Sequence, residues 1–344
     1  MALVQLDGDA AVSVPRVPKE MISTSFDKTL GKTRVSTNYS SIDTIQNCLR
    51  KSYYNLHEKW KPTEESPATL FGSGVHKALE VFYAGDINSR KVFPLEVYEL
   101  MSFGNTVPEE EEELTLRAFR AFLKTIEPLS ALPETDKRSP LNGAWIMWNY
   151  FKTFQNDPYV AMVDEKGPMC ERFFSMPLYE DENLVIDYFG TVDAVLQHTS
   201  TKEILVCDHK TTSFLGFGGS SYFDRARPAH QYSGYLLGAR EVFGLDTNTF
   251  MVSIVEVKGR PKTAKGQGPS FPRQLTTRDE DDFVEFREAV VYSVKAYLEA
   301  QRSGLWPLGP INACESYGNC SYRSVCATPR SLRGNVLSAK FNRE

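Results

Sequence analysis

The sequence predicts an α/β fold in which a mixed central β-sheet is flanked by helices and preceded by a large helical insertion. Three observations predict it. From residue 159 onward, runs rich in Val, Ile, Phe and Tyr are separated by short polar breaks, as in strands. On either side of that stretch, apolar residues recur at three- and four-residue steps, as on helices. Hydrophobic residues make up 41% of the 344 and aromatics 12%, which is enough for a sizeable core and excludes a disordered chain, a collagen-like repeat or a small disulfide scaffold. The 39 Lys and Arg against 44 Asp and Glu leave a net charge of −5, which argues against a generic nucleic-acid coat but permits a local basic groove. No run approaches the roughly 18 consecutive apolar residues of a membrane helix. Asp7 and Asp9 stand where a signal peptide would have its apolar core. The expectation is a soluble, cytoplasmic chain with no membrane partner, whose six cysteines serve metal binding before disulfides.

Taken in order, residues 1–35 mix Pro, Ser, Thr and charges without periodicity and read as a flexible arm. Residues 36–85 hold two helices. The first runs through STNYSSIDTIQNCLRKSYYNLHEKW with Ser40 or Ser41 as its cap, and the second begins after Pro67 and continues through TLFGSGVHKALEVFY. Residues 86–158 form the helical insertion, with the acidic run Glu109–Glu113 as a solvated helix start and AWIMWNYFKTF as an aromatic stretch. Residues 159–305 form the core. Its strands are YVAMVDE, CERFFSMPLY, LVIDYFGTVDAVLQ, EILVCDHK and TFMVSIVEVK, with a helix from about Pro228 to Phe243. A basic loop, GRPKTAKGQGPSFPR, and a long amphipathic helix closed by Gly304 complete it. Residues 306–344 carry three cysteines and little apolar pattern.

One motif is a decoy. Gly31-Lys32-Thr33 mimics a phosphate-binding loop, but that loop needs a glycine five residues before Gly31, where Phe26 stands. This excludes an ATP-driven motor. Three other signals carry chemistry. Asp193 ends Gly190-x-x-Asp193 within one strand, and Asp208-His209-Lys210 ends the next. A hairpin would set the two aspartates side by side with Lys210 on the face of Asp208. Paired carboxylates repel unless a cation lies between them, and oxygen ligands of this kind suit Mg²⁺ or Mn²⁺. A surface Asp–Lys salt bridge is the bland reading of Asp-x-Lys alone. Second, Gly72-x-x-x-His76 puts a histidine in the first turns of a helix, and Gln231 and Tyr235, four apart, share another helix face. Third, Cys314, Cys320 and Cys326 at x5 spacings punctuate a segment with little reason to fold by burial, so a metal staple is expected there, with Cys48 as the fourth ligand. Zinc is the alternative to an iron–sulfur cluster, although x5 exceeds the usual zinc spacings. Cys170 and Cys207, inside apolar strands, read as core thiols.

These residues, in this order, resemble the PD-(D/E)XK nuclease superfamily. More narrowly, they resemble its RecB-like branch with an iron–sulfur staple, which includes the CRISPR-adaptation nucleases and the AddB nuclease domain. The matches are Cys48; Gly72 to His76; Gly190 to Asp193; Asp208-His209-Lys210; Gln231 to Tyr235; and Cys314, Cys320 and Cys326. No proline precedes Asp193, as the superfamily's name would suggest, and the x5 spacing replaces the x2 of some relatives. The resemblance implies a restriction-endonuclease-like core with iron–sulfur-stapled termini. It implies that Asp193, Asp208, the His209 backbone carbonyl and His76 hold Mg²⁺ or Mn²⁺, and that Lys210 positions or activates water. Gln231 and Tyr235 would support the site, and the four cysteines would hold a 4Fe-4S cluster. Glu171 is a further acidic candidate in the preceding strand.

The function this implies is metal-dependent hydrolysis of DNA, as an exonuclease on single strands or ends, in a bacterial or phage-infected cell. A helicase or recombination protein would supply any unwinding. Strand contacts are expected from Tyr222, Arg225, Arg227 and the loop bearing Lys258, Arg260, Lys262 and Lys265, for which a solvated linker is an equal reading. Two rivals are a catalytically silent DNA-binding subunit on the same fold, against which the intact Asp193, Asp208 and Lys210 speak, and a zinc-stapled interaction protein.

Overall fold

The computed structural model describes residues 21–105, 113–217, 220–261, 266–315 and 319–343. The chain enters through an antiparallel hairpin, β1 (Ile22–Asp27) and β2 (Lys32–Thr37), where the sequence predicted an arm up to residue 35. Only Ile22, Val35 and Thr37 of this hairpin are buried, a pattern too sparse to read as strands. Asp27 makes the turn by accepting from the Thr29 and Leu30 amides at 3.0 and 3.2 Å. The Gly31-Lys32-Thr33 triplet lies at this turn, with Gly31 at φ +68, and no helix follows it.

Helix α1 (Tyr39–Asn47) is capped by Asn38, whose side chain accepts from the Ser41 amide at 2.9 Å, rather than by Ser40 or Ser41. The helix predicted to run on through residue 60 breaks at Cys48, which is extended at φ −165. The Cys48 sulfur caps α2 (Leu49–Ser52) by accepting from the Lys51 amide at 3.4 Å, and it also accepts from the Gly309 amide at 3.2 Å. A π-helical turn, Tyr53–His57, and the short β3 (Trp60–Pro62) follow. Helix α3 (Pro67–Ala84) starts where expected, with proline at its first position and Ser66 as cap. The insertion holds α4 (Leu95–Ser102), α5 (Leu114–Thr125) and α6 (Pro140–Phe154). Of the acidic run, residues 109–112 lie outside the described residues, and Glu113 immediately precedes α5.

The strands come next: β4 (Tyr159–Ala161), the ribbon of β5 (Val163–Asp164) and β6 (Gly167–Pro168), then β7 (Cys170–Glu180), β8 (Leu184–His198) and β9 (Ile204–Thr212). After a second ribbon, β10 (Gly216–Phe217) and β11 (Ser220–Ser221), α7 (His230–Phe243) begins two residues after the expected Pro228. Strand β12 (Thr249–Glu256) pairs with β13 (Arg273–Thr277), an edge strand that the sequence did not reveal. Helix α8 (Glu280–Ser303) opens with an Asp279–Asp282 capping box and closes on Gly304 at φ +71. The chain ends in α9 (Arg323–Ala327), α10 (Arg333–Lys340) and β14 (Phe341–Arg343), which pairs with β3. Among the described residues, no helix is long and apolar enough to cross a membrane.

The main sheet runs β1-β2-β8-β9-β12-β13 and is mixed, with β2–β8 and β9–β12 parallel. Its spine is β8. Residues 185–188 pair with β2 on one edge and β7 on the other, and Ala194 pairs with β7 and β9. Strands β2 and β9 therefore share one edge of β8, and residues 189–193 have no strand partner on it. The sheet forks at that gap. One core lies between the sheet and α1, α7 and α8, and includes Tyr188, Val206, Leu236, Phe250 and Phe286. The other lies beneath α3 and the insertion helices, and includes Phe71, Phe119, Tyr150, Leu205 and Cys207. The insertion thus supplies one of the two layers that cover the sheet.

Helix α7 approaches the sheet closely at Gly238, where an added Cβ would lie 2.5 Å from Phe174 Cδ2 and Cε2. Gly238→Ala is expected to destabilise the protein by about 1–3 kcal/mol, the usual effect of overpacking. A urea unfolding curve checks it, and an unchanged midpoint would contradict this packing.

Candidate active site

The fork gathers the predicted acidic and basic residues. Register pairs Ala194 with Cys207, so Asp193 comes level with Asp208 just beyond the last rung of the β8–β9 ladder. There the Asp193 carboxylate takes over from the missing strand, and its Oδ2 accepts from the His209 amide at 2.7 Å. Alternation puts Val206, Asp208 and Lys210 toward α7, and Leu205, Cys207 and His209 toward α3. The Lys210 ammonium lies 3.0 and 2.8 Å from the two Asp208 oxygens.

From the α3 side, His76 Nδ1 lies 3.4 Å from Asp193 Oδ2 and 3.9 Å from Glu171 Oε1. Among the described residues, His76, Glu171 and Asp193 are the three donors that come within 4.8 Å of one another, and Asp208 is not of that group. The backbone aids this convergence. Glu171 sits opposite Asp193, between the Cys170–Ala194 and Arg172–Val192 pairs, at φ +49. That left-handed conformation is costly for a side chain other than Gly, Asn or Asp. It marks the residue that the sequence ranked only as a further candidate, and it is invisible in one-dimensional pattern.

The motif glycines answer to close approaches. An added Cβ at Gly190 would meet Phe174 Cζ at 2.9 Å and Tyr235 Cε1 at 3.1 Å, and one at Gly72 would meet Thr211 Oγ1 at 3.1 Å. On α7, Gln231 Nε2 donates to Tyr235 Oη at 3.1 Å, and the Tyr235 ring packs edge-on to Phe174. The His209 ring is buried away from this side and stacks on Tyr83 at 5.5 Å and 19°. Tyr83 is itself held in a buried network. Its hydroxyl donates to Asp157 at 2.9 Å, lies 3.0 Å from the Tyr150 hydroxyl and accepts from Arg273 of β13, whose guanidinium also pairs with Asp157 at 2.7 Å. Tyr83 lies seven residues after His76 on α3, so the network fixes the helix face that presents the imidazole.

Charge follows this geometry. Burial opposes the charge on His76, but the Asp193 carboxylate and its hydrogen bond prevail and raise the imidazole to about 9. Burial alone would raise Asp193, yet the His76 charge and hydrogen bond hold it below the usual carboxylate range. Burial raises Asp208 in spite of Lys210. Glu171 is pushed up to about 7 by burial and by Asp193. Burial drives His209 down to about 3, so its ring stays neutral.

Two cavities flank the end of β9 and share Thr211. One, of about 650 Å³, is lined by Ser73, His76, Lys77, Lys124 and Glu171, and the other, of about 510 Å³, by Tyr39, Lys210, Tyr222, Arg225 and Gln231. Two of the predicted strand contacts, Tyr222 and Arg225, are therefore beside Lys210. Arg227 pairs instead with Asp282 at 3.0 Å, and Arg260 with Glu99. Lys258 lends its backbone carbonyl to Asn142 at 2.8 Å, while Lys262 and Lys265 lie outside the described residues.

Cys48 lies near Cys320 and Cys326, more than 270 residues further along the sequence. None of the six cysteines forms a disulfide. The Cys320 amide donates to the Cys314 carbonyl at 3.0 Å, and the Cys326 thiol is raised by burial and by the nearby Cys48 and Cys320. The Arg50 amide donates to the Pro307 carbonyl at 2.9 Å, which holds the C-terminal segment on the Cys48 turn. Cys207 is buried as expected, and Cys170 is only half-buried.

Residues 36–327 match the PD-(D/E)XK nuclease superfamily as a whole. The chain belongs to that superfamily. Members use divalent metals, and the mixed donor set at the fork is a possible site for one. Among solved structures, a Eubacterium rectale protein provisionally described as an exonuclease is similar to this nuclease with a TM-score of 0.48 at 12% identity, over 85% of this chain and 88% of that one. No curated protein matches the nuclease.

The His76–Asp193 pair makes stability depend on pH when no metal is bound. Because the folded His76 value of about 9 exceeds the free value of 6.5, its contribution is complete below about pH 6.5 and is lost as pH rises through about 9. In EDTA, wild type is expected to exceed His76→Gln in urea midpoint at about pH 6, and the gap is expected to shrink by about pH 10. A gap independent of pH would show that the pair is not ionised as described.

Proposed function

We propose that the protein is a divalent-metal-dependent deoxyribonuclease of the RecB-like branch, acting as an exonuclease on single-stranded DNA or DNA ends. The observation that carries this reading is the convergence of His76, Asp193 and Asp208–Lys210 at the fork between β8 and β9. The donors that converge, His76, Glu171 and Asp193, suit Mg²⁺ or Mn²⁺, and the Asp208 carboxylate and the His209 carbonyl would be further oxygens for it. Bound there, a divalent cation would neutralise the phosphodiester's non-bridging oxygens and lower the pKa of water. To accept it, His76 must give up the proton that Asp193 now stabilises, and Asp208 must stay ionised, which Lys210 favours. Lys210, half-buried against Asp208 on the wall of the α7-side cavity, is the donor that would orient water or steady developing charge on the phosphate. Gln231 and Tyr235 would hold the α7 wall against it.

We further infer that Cys48, Cys314, Cys320 and Cys326 bind a 4Fe-4S cluster. This rests on Cys48 lying near Cys320 and Cys326, with Cys314 tied to Cys320 through its backbone, and on x5 spacings longer than those usual for zinc. DNA is the substrate that the nuclease reading supplies, and a helicase or recombination protein would be the partner in such a setting.

With end-labelled single- and double-stranded DNA and Mg²⁺ or Mn²⁺, wild type is expected to degrade the strand. Asp208→Ala is expected to lose at least about 100-fold, the upper range for removing even an outer partner at a metal site. Equal traces would reject catalysis and leave a DNA-binding subunit. Anaerobically purified protein is expected to be brown and to lose its visible absorbance in Cys48→Ser, whereas a colourless, zinc-containing wild type would reject the cluster.

A further inference from the structure

Away from the fork, the chain builds a third cavity of about 460 Å³, whose wall combines arginines with aromatic rings. None of its lining residues comes from the elements that carry His76, Asp193 or Asp208. The π-helical turn shapes it. The Glu58 amide closes that turn onto the Tyr53 carbonyl at 2.8 Å, five residues back. The widened turn brings the rings of Tyr53 and His57 to 5.8 Å and 30° from each other. Both rest on the buried Trp306, at 5.4 and 5.2 Å, and Tyr297 packs edge-on to the tryptophan at 5.6 Å. Gly304, left-handed at the end of α8, turns the chain so that Trp306 lies beneath them. A π-turn gives up regular helical bonding, and such turns are frequent at functional sites.

The charges around these rings are arranged for an anion. Arg50 donates through Nε to the Trp306 carbonyl at 2.7 Å, which orients its guanidinium plane at the wall. Arg333 is fixed by bonds to the Thr328 and Cys326 carbonyls at 3.1 and 3.2 Å. Arg330 stands exposed at the rim, and its side chain makes no hydrogen bond or ion pair among the described residues. Glu58, the acidic lining residue, is already paired with Arg343 at 2.8 Å. In a chain of net charge −5, three guanidiniums around one neutralised acid are a local concentration of positive field.

We propose that this cavity is a second nucleic-acid contact, which takes one phosphate-and-base unit of a single strand. The guanidiniums match a phosphate's oxygens with planar, multiple donors, and the half-buried Tyr53 and His57 rings offer a stacking surface that any base can use. Because Arg330 lies on the open side, a chain can run past the site rather than end in it. The readout below involves no cleavage, so this proposal stands or falls separately from the nuclease reading.

The test uses the full-length protein in EDTA, with a fluorescein-labelled oligothymidylate followed by anisotropy over a range of NaCl. Arg330→Glu is expected to weaken binding about tenfold or more, and to flatten the slope of log affinity against log salt by about 0.7 for each phosphate that is no longer neutralised. His57→Leu, which keeps bulk but removes the stacking ring, is expected to cost about fivefold or more. Lys28→Glu, the same charge change on the exposed β1–β2 turn, is expected to stay within about twofold of wild type. Equal losses in Arg330→Glu and Lys28→Glu would mean a diffuse charge effect and overturn the site, as would wild-type affinity in both cavity variants. Displacement of the oligonucleotide by free thymidine monophosphate at comparable concentration would overturn the strand in favour of a mononucleotide.

Discussion

The bond from the His209 amide to the Asp193 carboxylate, 2.7 Å long, is the constraint on which the site depends. A sheet that forks must leave backbone donors without a ladder, and a buried donor left unpaired costs about 1–3 kcal/mol. Here a side chain ends the β8–β9 ladder, so one carboxylate satisfies the backbone and faces the cavity as well. Replacing it removes structure and chemistry together. Asp193 and Asp208 stand level on neighbouring strands, where cross-strand residues share a face, and the sheet opens just beyond them. Each is accompanied by a cation, Asp193 by His76 of α3 and Asp208 by Lys210 of β9 itself.

Support for this arrangement comes from further away. The β13 edge strand sends Arg273 across the sheet to Asp157 and Tyr83, and Tyr83 lies under the His209 ring and two turns along α3 from His76. Removing one partner from a buried ion pair costs about 3–5 kcal/mol, so this cross-brace is hard to move. The insertion helices contribute Tyr150 to it. They read as an addition to the nuclease core but are part of what positions the imidazole.

How much of this was legible in the sequence depended on how local its cause was. Strands β7, β8 and β9 were read almost to their ends because burial on two faces writes continuous apolar runs. Helix α8 was read because its acidic start and closing Gly304 lie within its own sequence. The pairing of Asp193 with Asp208 followed from the short turn between β8 and β9. The β1–β2 hairpin was missed because only three of its residues are buried. The break at Cys48 was missed because its cause includes the Gly309 amide, 261 residues away. Edge strand β13 was missed because it is half-exposed and its sequence, Arg-Gln-Leu-Thr-Thr, carries no apolar alternation. Glu171 was named only in passing, since its left-handed backbone is a property of the folded chain.

The pairing of β14 with β3, reinforced by the Arg343–Glu58 contact between residues 285 apart, has a consequence for how the molecule is made. On a ribosome, the Cys48 turn and the aromatic π-turn emerge well before the segment that covers them. Until that segment follows, Trp60, Tyr54 and the Cys48 thiol must wait with their eventual neighbours unsynthesised. Assembly of this face is therefore governed by the order of translation, since it must await the 285 residues that separate Glu58 from Arg343.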